Sequence, residues 1–548
     1  MRAVRCRTLP RSVVLPLDGS QGAKDPGQGC RRHAVRGPRA QGRASAPRRA
    51  AHRIPQIPAR GRSIIGAMST PTAVGNGRVV AVSLVAALGG FLFGFDSSVI
   101  NGAVPGIQAQ YSLNPTQTGF VVSVALLGCA VGAWYAGRLA DRIGRIRVMT
   151  IAAIVFIVSA VGSAFPGGAY GLMFWRFVGG LAIGTASVIA PAYIAEVAPA
   201  HLRGRLGSLQ QLAIVTGIFL ALLSDYFIAT AAGGASNDWL LGIEAWRWMF
   251  LVEAIPAVVY GLAARTIPES PRYLIGKGRI DEARTVMASV GQDTSDEKLA
   301  SVRASLEGER AQKVRDLRGP RFGLMPVVWV AIILSVLQQF VGINVIFYYS
   351  STLWQAVGFT EDNSLQISVI SGGINIIATI VAILCIDRFG RRPLLMLGSA
   401  GMSISLVILA YLFGTAPIVE VAATATCEAP CMQPSLTGSS GDIALVAANT
   451  FVFFFGFSWG PVVWVLLGEM FPNRIRAIAL SVAAAAQWLA NFVVSTTFPP
   501  LASHGLGIAY GFYATFAIIS FFFVWRVIQE TRGRELESMD SSYAAAPA

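Results

Sequence analysis

The chain has 548 residues, of which 54% are hydrophobic and 13% charged, and its mean hydropathy is +0.57. An ordinary soluble domain carries about 25% charged residues, so this composition excludes a globular protein whose whole surface faces water. Lipid must be the solvent for much of the molecule.

The formal net charge of +15 comes mostly from the first 67 residues. They hold 15 Lys and Arg and 2 Asp, a net of +13, which leaves +2 for the other 481 residues. This extension, 1–67, has no apolar period and lacks the apolar region of a secretory signal, so we expect it to be disordered. We favour a misassigned start, with Met68 as the true first residue. A targeting segment and an arm that binds nucleic acid or lipid are the alternatives.

From residue 79 the sequence divides into apolar runs of roughly 20 residues, the length that a helix needs to cross a bilayer. The first six runs lie near 79–103, 117–138, 147–165, 169–192, 206–228 and 246–267. The charged segment 268–323 follows, and its stretches "IDEARTVM" and "DEKLASVRASLEGERAQKV" have the acid and base spacing of short surface helices.

Six further runs complete the pattern. They lie near 324–350, 365–386, 393–414, 443–467, 477–498 and 506–528. The sequence therefore predicts an all-α membrane protein with twelve transmembrane helices. One six-helix bundle covers 79–267, a second covers 324–528, a cytoplasmic helical loop over 268–323 joins them, and a tail covers 529–548.

Lys and Arg lie only in alternate connections between the predicted spans. The connections after spans 2, 4, 8 and 10 contain Arg138, Arg142, Arg145, Arg203, Arg205, Arg388, Arg391, Arg392, Arg474 and Arg476. Basic loops stay in the cytoplasm, so both termini and the helical loop are expected there. The loop with Cys427 and Cys431 is then expected to face outward, where the two residues form either a disulfide or two free thiols.

One pattern of charges occurs twice. "DRIGR" begins at Asp141 after span 2, and "DRFGR" begins at Asp387 after span 8. Glu196 precedes Arg203 by seven residues after span 4, and a second Glu precedes an Arg by seven after span 10. Topology alone requires basic residues there but not these acids at these spacings. The two patterns in register predict two pseudo-symmetric halves.

Several motifs follow one another along residues 79–535 and are highly specific in combination. They are "GRLADRIGR", "RFVGGLAIG", "PAYIAEVAPAHLRGRLGS", "WRWMFLVEAIPA", "PESPRYL", "QQFVGINVIFYYS", "DRFGRRPLL", "GEMFPNRIRA" and "QETRGRE". In these motifs the chain resembles the sugar porter family of the major facilitator superfamily. The chain departs from the family pattern at Ile383 and at Gln529, where the final motif usually has Pro. The resemblance implies two six-helix bundles around a central cavity that opens alternately to each side.

The resemblance also implies a cytoplasmic gate of ion pairs that holds the inner side closed in the outward-facing state. The expected gate residues are Asp141, Arg142, Glu196, Arg203, Asp387, Arg388, Glu469 and Arg476. Partly exposed pairs contribute about 1 kcal/mol each, which suits a gate that must reopen.

A sugar presents hydroxyls that both donate and accept hydrogen bonds, so its site needs side-chain amides and aromatic faces. By resemblance, the residues expected to bind sugar are Gln211, Gln338, Gln339, Asn344, Asn375, Trp464 and Gln487, with Phe93 and Tyr348 as lids or walls. Hydrogen bonding between helices is the alternative role for each amide.

A carboxylate inside a span points to ion coupling. Asp96 lies inside span 1, where an unpaired carboxylate costs about 3 kcal/mol or more, and Arg176 lies inside span 4. Proton symporters of the family tend to carry Asp or Glu at this position of span 1. By resemblance, Asp96 accepts the proton, Arg176 controls its affinity for protons and Glu253 assists. A static buried ion pair of Asp96 and Arg176 is the alternative.

The predicted function is proton-coupled uptake of a monosaccharide such as glucose or xylose across the cytoplasmic membrane, by a monomer without cofactor, metal or nucleic acid. A facilitative sugar uniporter and a transporter-like sugar sensor are the alternatives. The sequence argues against a membrane enzyme, because its four His residues lack the spacing of metal ligands. The pattern does not rank the possible sugars.

Overall fold

The computed structural model describes residues 73–199, 202–308, 314–319, 323–421, 431–436, 438–472 and 475–532. The basic extension over 1–67 and Cys427 lie outside these residues, as does the side chain of Cys431. In the described part of the chain, twelve helical segments are long and apolar enough to cross a membrane, and each overlaps one predicted run. The prediction of an all-α membrane protein with twelve spans is confirmed.

The first half contains spans 1 to 6. They are Ala73–Tyr111, Pro115–Ile143, Arg145–Ala164, Ala169–Val197, Arg203–Ala232 and Ala245–Ala264, with a short 3-10 turn at Leu240–Gly242. Span 2 begins at a capping box in which the Asn114 side chain accepts from the backbone of Gln117, with Pro115 in the first turn. It ends at Gly144, whose φ of +98° reverses the chain so that span 3 begins at the next residue.

The linker between the halves is helical and has its own small core. It contains the helices Pro271–Gly276, Ile280–Ser289 and Asp296–Gly308 and the 3-10 turn Val314–Leu317. The apolar side chains of Leu274, Met287 and Leu299 are buried against one another there. The first stretch predicted to form a surface helix is helical, and so is the second over Asp296–Gly308, the part before residues 309–313, which lie outside the described residues.

The second half contains spans 7 to 12, and two of these spans are interrupted. Span 7 is Pro326–Phe340 and Ile343–Gln355; span 8 is Glu361–Phe389; span 9 is Arg391–Gly414; span 10 is Ser439–Phe454, the π-helical turn Phe455–Trp459 and Gly460–Met470; span 11 is Arg476–Ser503; span 12 is Leu506–Val527. Two antiparallel strands, Ile418–Val421 and Cys431–Pro434, lie between spans 9 and 10. The apolar period did not predict either interruption or the strands.

The two halves repeat the same helix pairings. Spans 1 and 5, 2 and 4, and 3 and 6 pack together in the first half, and spans 7 and 11, 8 and 10, and 9 and 12 pack together in the second. Shifting the span number by six converts one set of pairings into the other. The duplication predicted from the charge pattern therefore extends to the packing of whole helices.

The halves meet through spans 1 with 7, 2 with 11 and 5 with 8. Among the described hydrogen bonds, those that join the halves are Asn101 with Ser351, Ser123 with Thr496, Tyr226 with Gln366, Thr230 with Asp362 and Ala235 with Glu361. All five lie toward the ends of the spans opposite the linker, which we call the far face. The structure is therefore closed at the far face.

Candidate functional site: a central cavity beside a buried ion pair

A cavity of about 120 Å³ lies between the two halves. It is lined by every residue that the sequence predicted to bind sugar or to form a wall: Phe93, Gln211, Gln338, Gln339, Asn344, Tyr348, Asn375, Trp464 and Gln487. These residues come from spans 1, 5, 7, 8, 10 and 11. Both halves thus contribute to one site, and contact with a ligand stays a prediction for each residue.

The interruption of span 7 positions three of the amides. Gly342, at φ +86°, separates Gln338 and Gln339 at the end of one helix from Asn344 at the start of the next. Asn344 Nδ2 donates to Gln339 Oε1 at 2.6 Å, so the two side chains act as one polar unit. The break therefore turns residues five apart in sequence into neighbours at the cavity wall.

Gln338 also makes the bond between helices that was the alternative role of the amides. Its Nε2 donates to the carbonyl oxygen of Trp459 at 2.8 Å. Trp459 is fully buried in the π-helical turn of span 10, and its Nε1 donates to Ser399 Oγ at 2.9 Å. The π turn thus supplies a fixed carbonyl that orients Gln338, in keeping with the frequent occurrence of such turns at functional sites.

Aromatic rings form much of the remaining wall. The Phe93 ring meets the Trp488 ring edge-on at 5.4 Å between centroids. Trp464 keeps 41% of its surface exposed, although it lies in an apolar span. Tyr348 is buried, and its hydroxyl accepts from Asn491 Nδ2 at 3.4 Å. Amide edges and aromatic faces are the groups that suit sugar hydroxyls and C–H surfaces.

The sequence analysis missed two residues of span 11 that line this cavity. Trp488 follows the predicted Gln487 directly, and Asn491 lies one helical turn beyond it. The spacing of four residues between two amides in an apolar helix was the signal that could have identified Asn491.

Asp96 and Arg176 form an ion pair inside the first half. Arg176 Nη1 lies 2.9 Å from Asp96 Oδ1 and 3.2 Å from the Asp96 carbonyl oxygen, and the exposed fractions of the two residues are 2% and 3%. The guanidinium also lies over the Phe250 ring, 5.7 Å from its centroid. Asp96 is adjacent to Ser97, which lines the cavity. The pair is thus one layer behind the cavity wall.

Glu253 brings a second carboxyl to this pair. It is 1% exposed, and its side chain reaches that of Asp96. One oxygen of each carboxyl has no partner among the described residues. Two ionised carboxylates beside one guanidinium would leave a buried net negative charge, which is costly. Asp96, Arg176 and Glu253 therefore form one buried cluster of ionisable side chains.

The predicted gate carboxylates have partners that the prediction did not include. Glu196 Oε1 lies 3.0 Å from Arg145 Nη2, and Glu469 Oε1 lies 2.8 Å from Arg391 Nη2. Arg145 also binds Asp141 at 3.1 Å. Both arginines are the second Arg of the duplicated motif.

The other predicted gate residues are placed differently. Arg142 and Arg388, the first arginines of the two motifs, are exposed. Arg476 donates to the backbone carbonyl of Phe471 at 3.1 and 3.2 Å. The side chains of Arg203 and Asp387 lie outside the described residues.

A second carboxylate completes each of these charge networks. Glu269, after span 6, accepts the backbone N–H of Arg145 at 2.9 Å, and Glu530, after span 12, accepts that of Arg391 at 3.0 Å. The residue after each of these acids donates a hydrogen bond to a glutamate of the predicted gate. The Ser270 hydroxyl donates to Glu196, and the Thr531 hydroxyl donates to Glu469. Each network lies within one half, at the end of the spans nearest the linker.

The comparisons with known proteins agree with one another. The family model for "Sugar (and other) transporter" matches residues 82–543. A glucose transport protein of Synechocystis is 57% identical over 463 residues, which is 84% of this chain and 97% of the relative. The D-xylose-proton symporter of Escherichia coli K12 is 36% identical over 497 residues, 84% of this chain and 95% of the relative.

Solved structures show the same likeness. The inward-open xylose transporter of Escherichia coli matches with a TM-score of 0.71 and 35% identity, over 85% of this chain and 99% of that one. The proton:xylose symporter bound to 6-bromo-6-deoxy-D-glucose matches with a TM-score of 0.69 and 35% identity, over 85% of this chain and 100% of that one.

Proposed function

The chain belongs to the sugar transporter family, and from that premise we propose that it takes up a monosaccharide together with protons by alternating access. Glucose and xylose are the candidate substrates, since relatives named for each are similar over most of the chain. The observation that carries the proton coupling is the buried Asp96–Arg176 pair, with Glu253 beside it, one layer behind the amide-lined cavity.

We infer that the sugar binds between the halves. Gln338, Gln339 and Asn344 offer amide edges from the second half, and Gln211 offers one from the first. Sugar hydroxyls that bind amides of both halves draw the two halves together, so the transporter with bound sugar can pass through a state closed at both ends. Phe93 and Tyr348 form aromatic walls of the site, and Trp464 supplies a further aromatic face.

Asp96 couples this movement to the proton. In the ionised form it holds the Arg176 guanidinium at 2.9 Å. A proton taken from water forms an O–H bond on Asp96, removes its charge and weakens that contact, and Glu253 is the other carboxyl beside Arg176. The step adds one positive charge to the buried cluster, and this uptake of a proton couples the movement to the pH gradient.

The membrane orientation follows from the basic loops. Both termini and the linker lie in the cytoplasm of the proposed transporter, so the far face is the outer side. The protein lies in the cytoplasmic membrane and works as a monomer in the bilayer. We infer that the two charge networks at the cytoplasmic end, now separate, meet across the halves when that end closes.

Replacing Asp96 by Asn tests the coupling. Asp96→Asn should abolish sugar accumulation driven by a pH gradient in proteoliposomes, because an amide cannot alternate between charged and protonated forms. Exchange of labelled sugar should continue, since the cavity amides are intact. Asp442→Asn, an exposed acid at the start of span 10, is the matched control and should accumulate sugar like the parent.

Two results would change this account. An Asp96→Asn protein that still concentrates sugar would move the proton site, with Glu253 the next candidate. A parent protein that only equilibrates sugar would identify a facilitative uniporter.

A further inference from the structure

A second buried acid lies in span 5, apart from the Asp96 pair. Asp225 is 0% exposed, and its Oδ2 accepts the backbone N–H of Gly102 at 3.2 Å. Its Oδ1 has no partner among the described residues. Gly102 makes this approach possible, because a Cβ there would lie 2.6 Å from the Cβ of Asp225.

Asp225 lies, along span 5, between the level of the cavity and the far face. Ser98 and Ile218 line the cavity. Gly102 is one helical turn beyond Ser98 in span 1, and Asp225 is two turns beyond Ile218 in span 5, so both continue the cavity-lining faces outward.

The two halves are joined at the same level. Asn101, next to Gly102, accepts the backbone N–H of Ser351 at 3.0 Å through its Oδ1, and its backbone carbonyl accepts the Ser351 hydroxyl at 2.5 Å. Ser351 lies one turn beyond the cavity-lining Phe347 of span 7. We call Asn101, Gly102, Asp225 and Ser351 the far plug, since they close the path from the cavity to the far face.

No described cation compensates Asp225. Span 5 packs against spans 1, 4, 6 and 8. The charged residues on those spans toward the membrane interior and the far face are Asp96, Arg176, Arg247, Glu253, Glu361 and Asp362. Each contacts a group other than Asp225: Arg247 pairs with Glu244, and the others make the contacts given above. Tyr111, at the far end of span 1, packs against Trp246.

An ionised carboxylate with a single backbone donor in a dry, apolar site costs several kcal/mol. The neutral acid avoids that cost, and Oδ1 is the oxygen left to carry the proton. The closed plug is therefore compatible with the protonated form of Asp225, whereas a plug filled with water would stabilise the ionised form.

We propose that Asp225 is a proton-exchange group of the far plug, protonated while the plug is closed and ionised when spans 1 and 7 separate and water enters. On opening, the O–H bond of the acid breaks and the proton passes to water at the far side. On closing, a proton from that side forms the bond again. The proposal rests on the transport function given above and adds a second acid to it.

The direction of the effect follows from this exchange. Protons at the far side favour the closed plug, and their removal favours the open one. At pH values above the ordinary pKa range of an exposed carboxyl, the ratio of open to closed plug should change by up to about tenfold per pH unit. With the far face outside, external acid would promote closure after sugar has entered, the same direction as proton-driven uptake.

Spin labels across the far face can measure the plug directly. Thr116 in span 2 and Ser503 in span 11 are exposed residues of different halves. Labels on cysteines at these positions, in a protein whose other accessible cysteines are replaced by Ser, give the distance between the halves in lipid nanodiscs. The fraction of long distances should rise as the pH is raised from 5 to 8.

Variants then assign the titrating group. Asp225→Asn, which mimics the protonated acid, should keep short distances at every pH. Asp225→Ser replaces the carboxyl by a smaller side chain and should also keep short distances at every pH. The two variants together allow the test even if one of them fails to fold. Asp442→Asn, which changes the exposed acid at the start of span 10, should keep the pH dependence of the parent.

Three results would overturn the proposal: a parent whose distances do not respond to pH, a response retained in both Asp225 variants, or a response lost in Asp442→Asn. None of these depends on sugar movement. A failure of the transport function, seen as absent uptake by the parent, is therefore distinguishable from a failure of the plug.

Discussion

The amides of the cavity are held in place before any sugar binds. Asn344 is tied to Gln339, and Gln338 is tied to the carbonyl of Trp459. Gln487 differs, because its Oε1 is buried without a partner among the described residues. Oriented amides lose little conformational freedom on binding, so the network can contribute to affinity as well as to packing.

Gln338→Ala should weaken sugar binding by about 1 to 3 kcal/mol, since a sugar hydroxyl and the Trp459 carbonyl both lose their partner. Titration calorimetry on purified protein measures the affinity. Gln108→Ala removes an amide of the same size at the far end of span 1, outside the cavity, and should bind sugar like the parent. Unchanged affinity in Gln338→Ala would mean that this amide only joins helices.

Glu530 gives the end of the spans nearest the linker a defined pH dependence. Partial burial alone would raise its pKa, but the backbone N–H groups of Arg391, Arg532 and Arg392 hold the pKa below its ordinary value of 4.5. A lowered pKa in the folded state means that Glu530 stabilises the protein above that ordinary value. This stabilisation is lost as the pH falls through the lowered value.

Glu530→Gln should therefore lower the thermal unfolding midpoint at pH 7, and the difference from the parent should shrink as the pH is brought below 4.5. Glu297→Gln changes an exposed acid of the linker and should leave the midpoint unaltered. A difference for Glu530→Gln that stayed constant with pH would argue for a packing defect instead.

Single residues were predictable where the motifs match the family. The positions that the resemblance implied for sugar binding all line one cavity, whereas the presence of an amide in a span was not enough, since Asn101 and Asn449 do not line it. The arginine partners of the gate glutamates were not predictable, because each motif contains two. The turn at Gly144, with φ +98°, lets span 3 begin at Arg145 and brings that side chain to Glu196. The spacing of charges in the sequence does not predict this geometry.

At the level of helices, the interruptions of spans 7 and 10 create the site. An uninterrupted apolar run predicted one helix over 324–350, yet Gly342 divides it beside the cavity. The π turn Phe455–Trp459 likewise lies inside a predicted apolar run, the one over 443–467. Hydropathy reports the length of a span, whereas these local deviations depend on packing partners such as Asn375 and Tyr513.

Gly342→Ala should destabilise the protein, because φ is +86° there and a Cβ would lie 2.7 Å from the Tyr513 ring. The left-handed conformation alone costs about 1 to 2 kcal/mol for a residue with a side chain. Gly511→Ala is the matched control in span 12, where nothing lies within 4 Å of the added carbon, and should be neutral or slightly stabilising. Equal unfolding midpoints for the two variants would contradict this account.

At the scale of the whole molecule, the duplication explains how one cavity can face two sides. Equivalent helices pair in equivalent ways in the two halves, so tilting the halves in the opposite sense produces a similar interface at the other end. Repeated charges in the sequence predicted this symmetry. They did not predict that the far face is the closed one, since the two states differ by only a few kcal/mol in a transporter that must visit both.

The central claim is that the movement of sugar is driven by protons. Proteoliposomes that contain the parent protein, loaded with buffer and given an inward pH gradient, measure it most directly. We expect labelled glucose or xylose to accumulate above its external concentration, the weakly buffered medium to become more alkaline as sugar enters, and an uncoupler to abolish both. Sugar that only equilibrates, at a rate indifferent to the gradient and to the uncoupler, would contradict the claim.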